Sequence, residues 1–307
     1  MNSPISTLPA KFLKNISASS IVDKYQRELN LDIKKFIDQV DSIELWECNE
    51  TGYRFFMPVG IAGDGSFYEA LSKSFENYYE VEKWEHDLAL AFIKKSTSLQ
   101  SNEVCSILEI GCAEGEFLSW VKKQIPEIET YGIDINEDAI NKATRLGLKA
   151  SLSTIESYSS DNSNKFDFVV CFQVLEHISD VSKFLNGAVN ILKPGGKLVI
   201  AVPNSDSYIL KNDGMHTLNL PPHHMGWWNE TSLTSLTDYL PIKMISVQKE
   251  PTDFSHIGEY YKAFLNNLFG KSSAFLYPIT RSFIKPIFKK VIGKNEGMSI
   301  LSIYEKK

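Results

Sequence analysis

The chain has 307 residues, 43% of them hydrophobic and 23% charged, with a net charge of −6. That length and composition suit a globular protein with a full core, as one large domain or two, and argue against a nucleic-acid partner. No run is long enough to span a membrane, and Met1 to Ser20 lacks the apolar stretch of a signal peptide.

Residues 1–20 are rich in Ser, Pro and Ala and are expected to be a loose lead-in. Apolar residues at Ile21, Val22, Tyr25, Leu29, then Ile33, Phe36, Ile37 and Val40 predict two short helices. Ser42–Cys48 and Tyr53–Met57 flank Asn49-Glu-Thr-Gly52 and predict a hairpin, followed by a glycine-rich loop from Gly60 to Gly65. Phe67 to Tyr79 and Trp84 to Ile93 have helical spacing. Residues 1–100 are therefore expected to form an N-terminal cap. Its aromatics exceed what such short elements could bury alone, so they either pack on the main sheet or line a substrate cleft.

The main domain, 101–307, opens on Ser106-Ile-Leu-Glu-Ile110, a short apolar run around one acid, as in a buried parallel strand. Gly111 to Gly115 breaks the chain, and Phe117, Leu118, Val121 and Ile125 resume at helical spacing. Strand, glycine turn and helix place that turn at the carboxyl end of a strand, where backbone can approach a ligand closely. Further strands are predicted at 129–135, 149–153, 166–173, 197–204, 243–248 and 298–304, with helices at 137–146, 181–192 and 230–239. The alternation predicts an α/β fold, a mostly parallel sheet covered on both faces. The four cysteines, Cys48, Cys105, Cys112 and Cys171, form no CxxC pair and are expected to be buried free thiols of a cytoplasmic protein.

Four motifs in order carry a resemblance: Glu109-Ile-Gly-Cys-Ala-Glu-Gly115, Tyr131-Gly-Ile-Asp-Ile135, Phe166 to Ile178 with its Gln173-Val-Leu-Glu-His177, and Leu192-Lys-Pro-Gly-Gly196. Together they resemble class I methyltransferases dependent on S-adenosylmethionine, over roughly residues 104–250. The resemblance implies a Rossmann-like fold with a seven-stranded sheet whose last strand enters antiparallel. It also implies S-adenosylmethionine as cofactor, with Glu109, Gly111, Cys112, Ala113, Gly115, Asp134, Ile135 and Gln173 around it. Gly111 and Gly115 would let the backbone approach the methionine part, and Cys112 and Ala113 are small enough to line the same turn. Many relatives have glycine where Ala113 stands. Glu109 can hydrogen-bond the loop amides or, through water, the ligand's ammonium. Asp134 can accept hydrogen bonds from both ribose hydroxyls, a placement that serves NAD equally. The acid often found after the third strand has only Ser153, Thr154 and Glu156 as counterparts here.

For the acceptor side, His177 follows the fourth strand, and His223 and His224 lie in the long loop from Asn204 to Asn229. Long loops inside compact domains are usually functional. Any of the three histidines is a candidate catalytic base, since imidazole titrates near neutrality. Adjacent His223 and His224 are expected to point to different sides. A metal set of His216, His223 and His224 lacks a fourth ligand at suitable spacing, so no metal is expected.

Two further resemblances bear on the acceptor. Trp46 to Pro58, Gly63-Asp-Gly-Ser-Phe-Tyr68 and Lys83-Trp-Glu85 resemble the leader of bacterial methyltransferases encoded with polysaccharide and sugar-modifying genes. Some of those carry paired cysteines there; only Cys48 is present here, and no zinc is expected. That leader implies O-methylation of a sugar hydroxyl on a nucleotide sugar or glycan. Leu175-Glu-His-Ile178 is also similar to the ubiquinone O-methyltransferases, which implies a small-molecule or quinone-type phenol instead. A dinucleotide-dependent oxidoreductase or a silent interaction module on the same architecture is the remaining alternative. The first lacks Gly-x-Gly-x-x-Gly, and the second is disfavoured by an intact turn and Asp134.

A helical insertion is expected at about 254–297. Its stripes, Ile257 to Phe269 and Leu276 to Ile292, carry only basic charges between Tyr260 and Lys294. They would pack on the cap or a second subunit, or dock reversibly on an anionic membrane from the cytoplasmic side.

Overall fold

The computed structural model describes residues 1–74, 83–97, 104–212, 214–252, 257–270, 276–277, 280 and 297–307. In chain order the strands are β1 (Ala10–Ser17), β2 (Ser42–Cys48), β3 (Arg54–Met57), β4 (Ser106–Ile110), β5 (Glu129–Asp134), β6 (Lys149–Leu152), β7 (Phe166–Phe172), β8 (Leu192–Pro203), β9 (Gly226–Trp227), β10 (Ile242–Lys249) and β11 (Ser299–Lys306). Seven of them form the main sheet in the order β10-β11-β8-β7-β4-β5-β6. The pairs among β4 to β8 are parallel, and β11 enters antiparallel between β8 and β10. This is the Rossmann-like arrangement of class I methyltransferases.

Both faces of the sheet are buried, which explains why its strands read as apolar runs. Leu108, Ile110, Val169, Cys171, Leu198 and Ile200 pack with the helix Val181–Asn190 on one side. Ile107, Phe168, Val170, Val199 and Ala201 pack on the other, under the helices Trp84–Thr97 and Glu116–Gln124. From β4 the chain runs outward through β5 and β6, then crosses back so that β7 pairs with the other edge of β4. Strand order therefore reverses between β4 and β7, the place in an open α/β sheet where a crevice opens at the carboxyl ends.

A second sheet, β1-β2-β3-β9, joins the N-terminal residues to the loop after β8. The expected hairpin is present, with Glu44 opposite Met57 and Glu47 opposite Arg54. The loose lead-in is corrected: Ala10–Ser17 is an edge strand antiparallel to β2, from Ala10 opposite Cys48 to Ser17 opposite Ser42. Most of its side chains are exposed, so main-chain pairing holds it without a regular apolar alternation to betray it. Tyr53 and Phe55 join the core of the main sheet, stacked near Trp228. Tyr78 and Tyr79 lie outside the described residues.

Other departures are local. β8 begins at Leu192, so the Lys-Pro-Gly-Gly segment belongs to the strand, with a register shift opposite Phe166 and Phe168. The helix expected at 230–239 is two short ones, Glu230–Thr234 and Leu236–Tyr239. The helix Ile257–Phe269 forms as expected, and Tyr260, Tyr261 and Leu265 are buried against Tyr208 and Ile209. Leu268 and Phe269 remain exposed. The second stripe falls almost wholly outside the described residues, Lys285, Lys289 and Lys290 included. Among the described residues no helix is long and apolar enough to cross a membrane. All four cysteines are buried free thiols.

Candidate active site

A cavity of about 360 Å³ opens at the carboxyl ends of β4, β5, β7 and β8. Its floor is the turn after β4. Gly111 and Cys112 donate their N–H groups to the carbonyl of Ile133 at 2.8 and 3.1 Å, folding the turn over the end of β5. Gly111, Ala113 and Gly115 all have positive φ, of 75°, 46° and 82°. Ala113 therefore holds a left-handed conformation that favours glycine, which accounts for glycine at that place in many relatives. A Cβ on Gly111 would meet Val174 at 2.4 Å, and one on Gly115 would meet Leu148 at 2.1 Å. The positive φ of the turn and its close packing favour glycine at both positions.

Asp134 ties this turn to the next strand. Its Oδ2 accepts from Ala113 N at 2.9 Å and its Oδ1 from Asn136 N at 2.8 Å. Burial raises its pKa, against the opposing pull of those main-chain N–H groups. Each oxygen keeps a second lone pair, so the main-chain bonds leave acceptor capacity. Asn136 in turn caps the helix Glu137–Arg145 through Ala139 N. Ile135, 43% exposed, lines the cavity beside them. Cys112 is buried with its pKa pushed up by burial, and its sulfur sits where a side chain on Gly132 would go. Ser153, Thr154 and Glu156 are not among the lining residues; Thr154 caps the helix Ile155–Ser160 instead.

Glu109 points a buried carboxyl at the cavity, and its Oε2 has no hydrogen-bond partner among the described residues. Burial, with the charge of Asp134 added, holds its carboxyl well above the usual carboxylate range. Gln173 ends β7 with φ of 55°, and its amide donates to Glu85 Oε1 at 2.9 Å. Lys83 and His86 reach the cavity from the start of the helix Trp84–Thr97. The His86 ring lies 4.8 Å from that of Phe172 and 5.1 Å from that of Phe117. Sequence reasoning missed Lys83, His86 and Asn136. Lys83 and His86 stand three apart at a helix start, a spacing that shares one helix face.

At the other end of the cavity three imidazoles meet. Ring centroids are 4.5 Å apart for His177 and His223, 5.0 Å for His177 and His224, and 4.6 Å for His223 and His224. The expectation that His223 and His224 face different sides is corrected. Both donate their main-chain N–H to the carbonyl of Leu220, so the chain turns there and strand-like alternation does not apply. The N-terminal elements hold this loop: Tyr25 Oη donates to Leu220 O at 2.9 Å, and Gly63 N to Pro222 O at 2.9 Å. Tyr68 stands edge-on to His177 at 5.3 Å. Burial lowers the pKa of His177 to about 4 and those of His223 and His224 well below the usual value. Glu176, also buried, has its pKa raised by burial to about 8, and its Oε2 has no hydrogen-bond partner among the described residues. His216 does not line the cavity.

This geometry is matched by similarity to known proteins. A family model described as a methyltransferase domain matches residues 75–239. The ubiquinone biosynthesis O-methyltransferase of Hydrogenovibrio crunogenus is 28% identical over 131 residues, 40% of this chain and 52% of that protein. The enzyme of the same name from Thiobacillus denitrificans is 25% identical over 186 residues, 57% of this chain and 69% of that protein. The chain spans about half the length of the first of these relatives. Among solved structures, the plantazolicin methyltransferase BpumL in complex with SAH aligns with a TM-score of 0.50 at 16% identity. That alignment covers 77% of this chain and 89% of that one, a likeness of fold. With the family model matching more than half of its residues, the chain belongs to the methyltransferase-domain family.

Proposed function

We propose that the protein transfers a methyl group from S-adenosylmethionine to the oxygen of a small phenol or quinone-type acceptor. The observation that carries this is the single cavity lined by the glycine turn, Asp134 and Glu109 at one end and His177, His223 and His224 at the other. The relatives named above favour the phenol over the sugar hydroxyl implied by the leader. The lining favours it too, since Tyr68, Ile178 and three imidazoles offer flat and apolar surface to an aromatic ring.

The residues present fit the cofactor. Glu109 Oε2 is a buried, unpartnered acceptor facing the cavity, which suits an ammonium group. Asp134 retains the lone pairs to take ribose hydroxyls. When bound, S-adenosylmethionine supplies an electrophilic methyl on a sulfonium. The chain's part is to hold the acceptor oxygen in line with that methyl, where proximity supplies much of the rate. The hydroxyl proton leaves as attack develops, and the imidazole cluster is the group placed to take it, although burial disfavours a charged ring there. Residues 1–100 act on this reading as a cap on the methyltransferase domain, 101–307, through Tyr25, Gly63 and Tyr68. Calorimetry tests the cofactor: S-adenosylmethionine and S-adenosylhomocysteine are expected to bind and NAD is not. Binding of NAD alone would overturn the proposal.

A further inference from the structure

His177, His223 and His224 each place a ring nitrogen within 4.8 Å of the other two. Tetrahedral zinc, with Zn–N distances of about 2.0–2.1 Å, sets its ligand nitrogens roughly 3.3 Å apart. Binding an ion would require the rings to close by that difference. The ring tautomers suit the task as well. A carbonyl can only accept, so His177 Nδ1–H donates to His223 O at 2.7 Å and His223 Nδ1–H to Leu218 O at 2.9 Å. In each ring Nε2 then carries the lone pair. Metal-binding histidines are oriented in this way, one ring nitrogen donating to a carbonyl and the other facing the ion.

A second observation lies beside the rings. Glu176 is 2% exposed, its Oε1 stands 3.8 Å from His177 Nε2, and its Oε2 has no hydrogen-bond partner among the described residues. We infer that His177, His223 and His224 bind one divalent transition-metal ion, with the Glu176 carboxyl beside it. Three imidazoles favour zinc, cobalt, nickel or copper over magnesium or calcium, which prefer oxygen ligands. With three protein ligands, a fourth position is left facing the cavity, as in zinc sites that act on a substrate. Sequence spacing sets His216 with His223 and His224 and leads to no expected metal; the fold brings His177, which follows β7, to the two loop histidines instead.

The metal site stands on these contacts alone. Only its use rests on the proposed methyl transfer: with the ring lone pairs on the ion, the metal would hold the acceptor oxygen and ease loss of its proton in place of the imidazole base. The test is titration of the metal-stripped full chain with Co²⁺, followed by visible absorption and by displacement with Zn²⁺. One equivalent with a tetrahedral spectrum is expected, and Mg²⁺ should not compete. His223→Ala and His224→Ala should each bind more than about 100-fold more weakly, while His216→Ala should bind as the wild type does. Affinity for S-adenosylhomocysteine, measured on every variant, reports whether it is folded. No stoichiometric binding by the wild-type chain, or undiminished binding by folded His223→Ala and His224→Ala, would overturn the site. Metal binding without S-adenosylhomocysteine binding would overturn the methyl-transfer proposal and leave the metal site standing.

Discussion

His177 donates its Nδ1–H to the carbonyl of His223 at 2.7 Å, joining the end of β7 to the loop that follows β8. The bond sets the ring of one and the backbone of the other at the same end of the cavity. Alanine at His177, His223 or His224 is expected to keep affinity for S-adenosylhomocysteine. Turnover with a phenolic acceptor should fall by about 100- to 10,000-fold in at least one of the three. Near wild-type turnover in all three at saturating substrate would remove the cluster from the reaction.

Asp134 has two duties, the main-chain N–H of Ala113 and of Asn136 on one side and the cofactor's ribose on the other. Asp134→Ala should therefore weaken S-adenosylmethionine binding by about 1.5–3 kcal/mol per charged hydrogen bond removed. Thermal stability should fall as well, because the turn loses its acceptor. Unchanged affinity by calorimetry would sink the ribose assignment.

Glu109 gives a pH dependence. Its carboxyl pKa is raised in the folded chain by burial, so folding favours the protonated form. The free protein then loses stability as pH rises above the ordinary value of 4.5, since ionisation favours the unfolded chain. Glu109→Gln should relieve that cost, raising Tm more at pH 8 than at pH 5, and should also weaken cofactor binding. A variant less stable than wild type at both pH values would contradict the assignment.

Tyr25 tests the cap. Its hydroxyl is buried and reaches Leu220, which turns the chain into His223 and His224. Tyr25→Phe removes one of the three donors to that carbonyl, at a stability cost of about 0.5–1.5 kcal/mol. The KM for the acceptor should rise while cofactor affinity stays unchanged. Equal loss of both would mean that the cap serves the whole cavity.

Much of the fold is legible in the chain because parallel strands buried on both faces read as apolar runs. Ser106–Ile110 and Phe166–Phe172 are the clear cases, and the glycine turn after the first marks the cofactor end. β1 is not legible, since an exposed edge strand held by main-chain bonds carries little apolar pattern. Nor is the pair of residues Gly226–Trp227, which become a strand only by meeting Phe55 and Arg54. The cofactor end was found as a contiguous motif. The histidine cluster was found only as separate residues, because its assembly depends on the turn at Leu220 and on Tyr25, far away in sequence. Lys83 and His86, at the start of the helix Trp84–Thr97, join the site only because the fold brings that end of the helix to the cavity.

Transfer of a labelled methyl group tests the central claim most directly. The purified chain, given methyl-labelled S-adenosylmethionine, is offered phenolic and quinol acceptors in one arm and nucleotide sugars and glycan fragments in the other. Label is expected on the oxygen of a phenolic acceptor, with S-adenosylhomocysteine as co-product. Label on a sugar hydroxyl and none on any phenol would contradict the account.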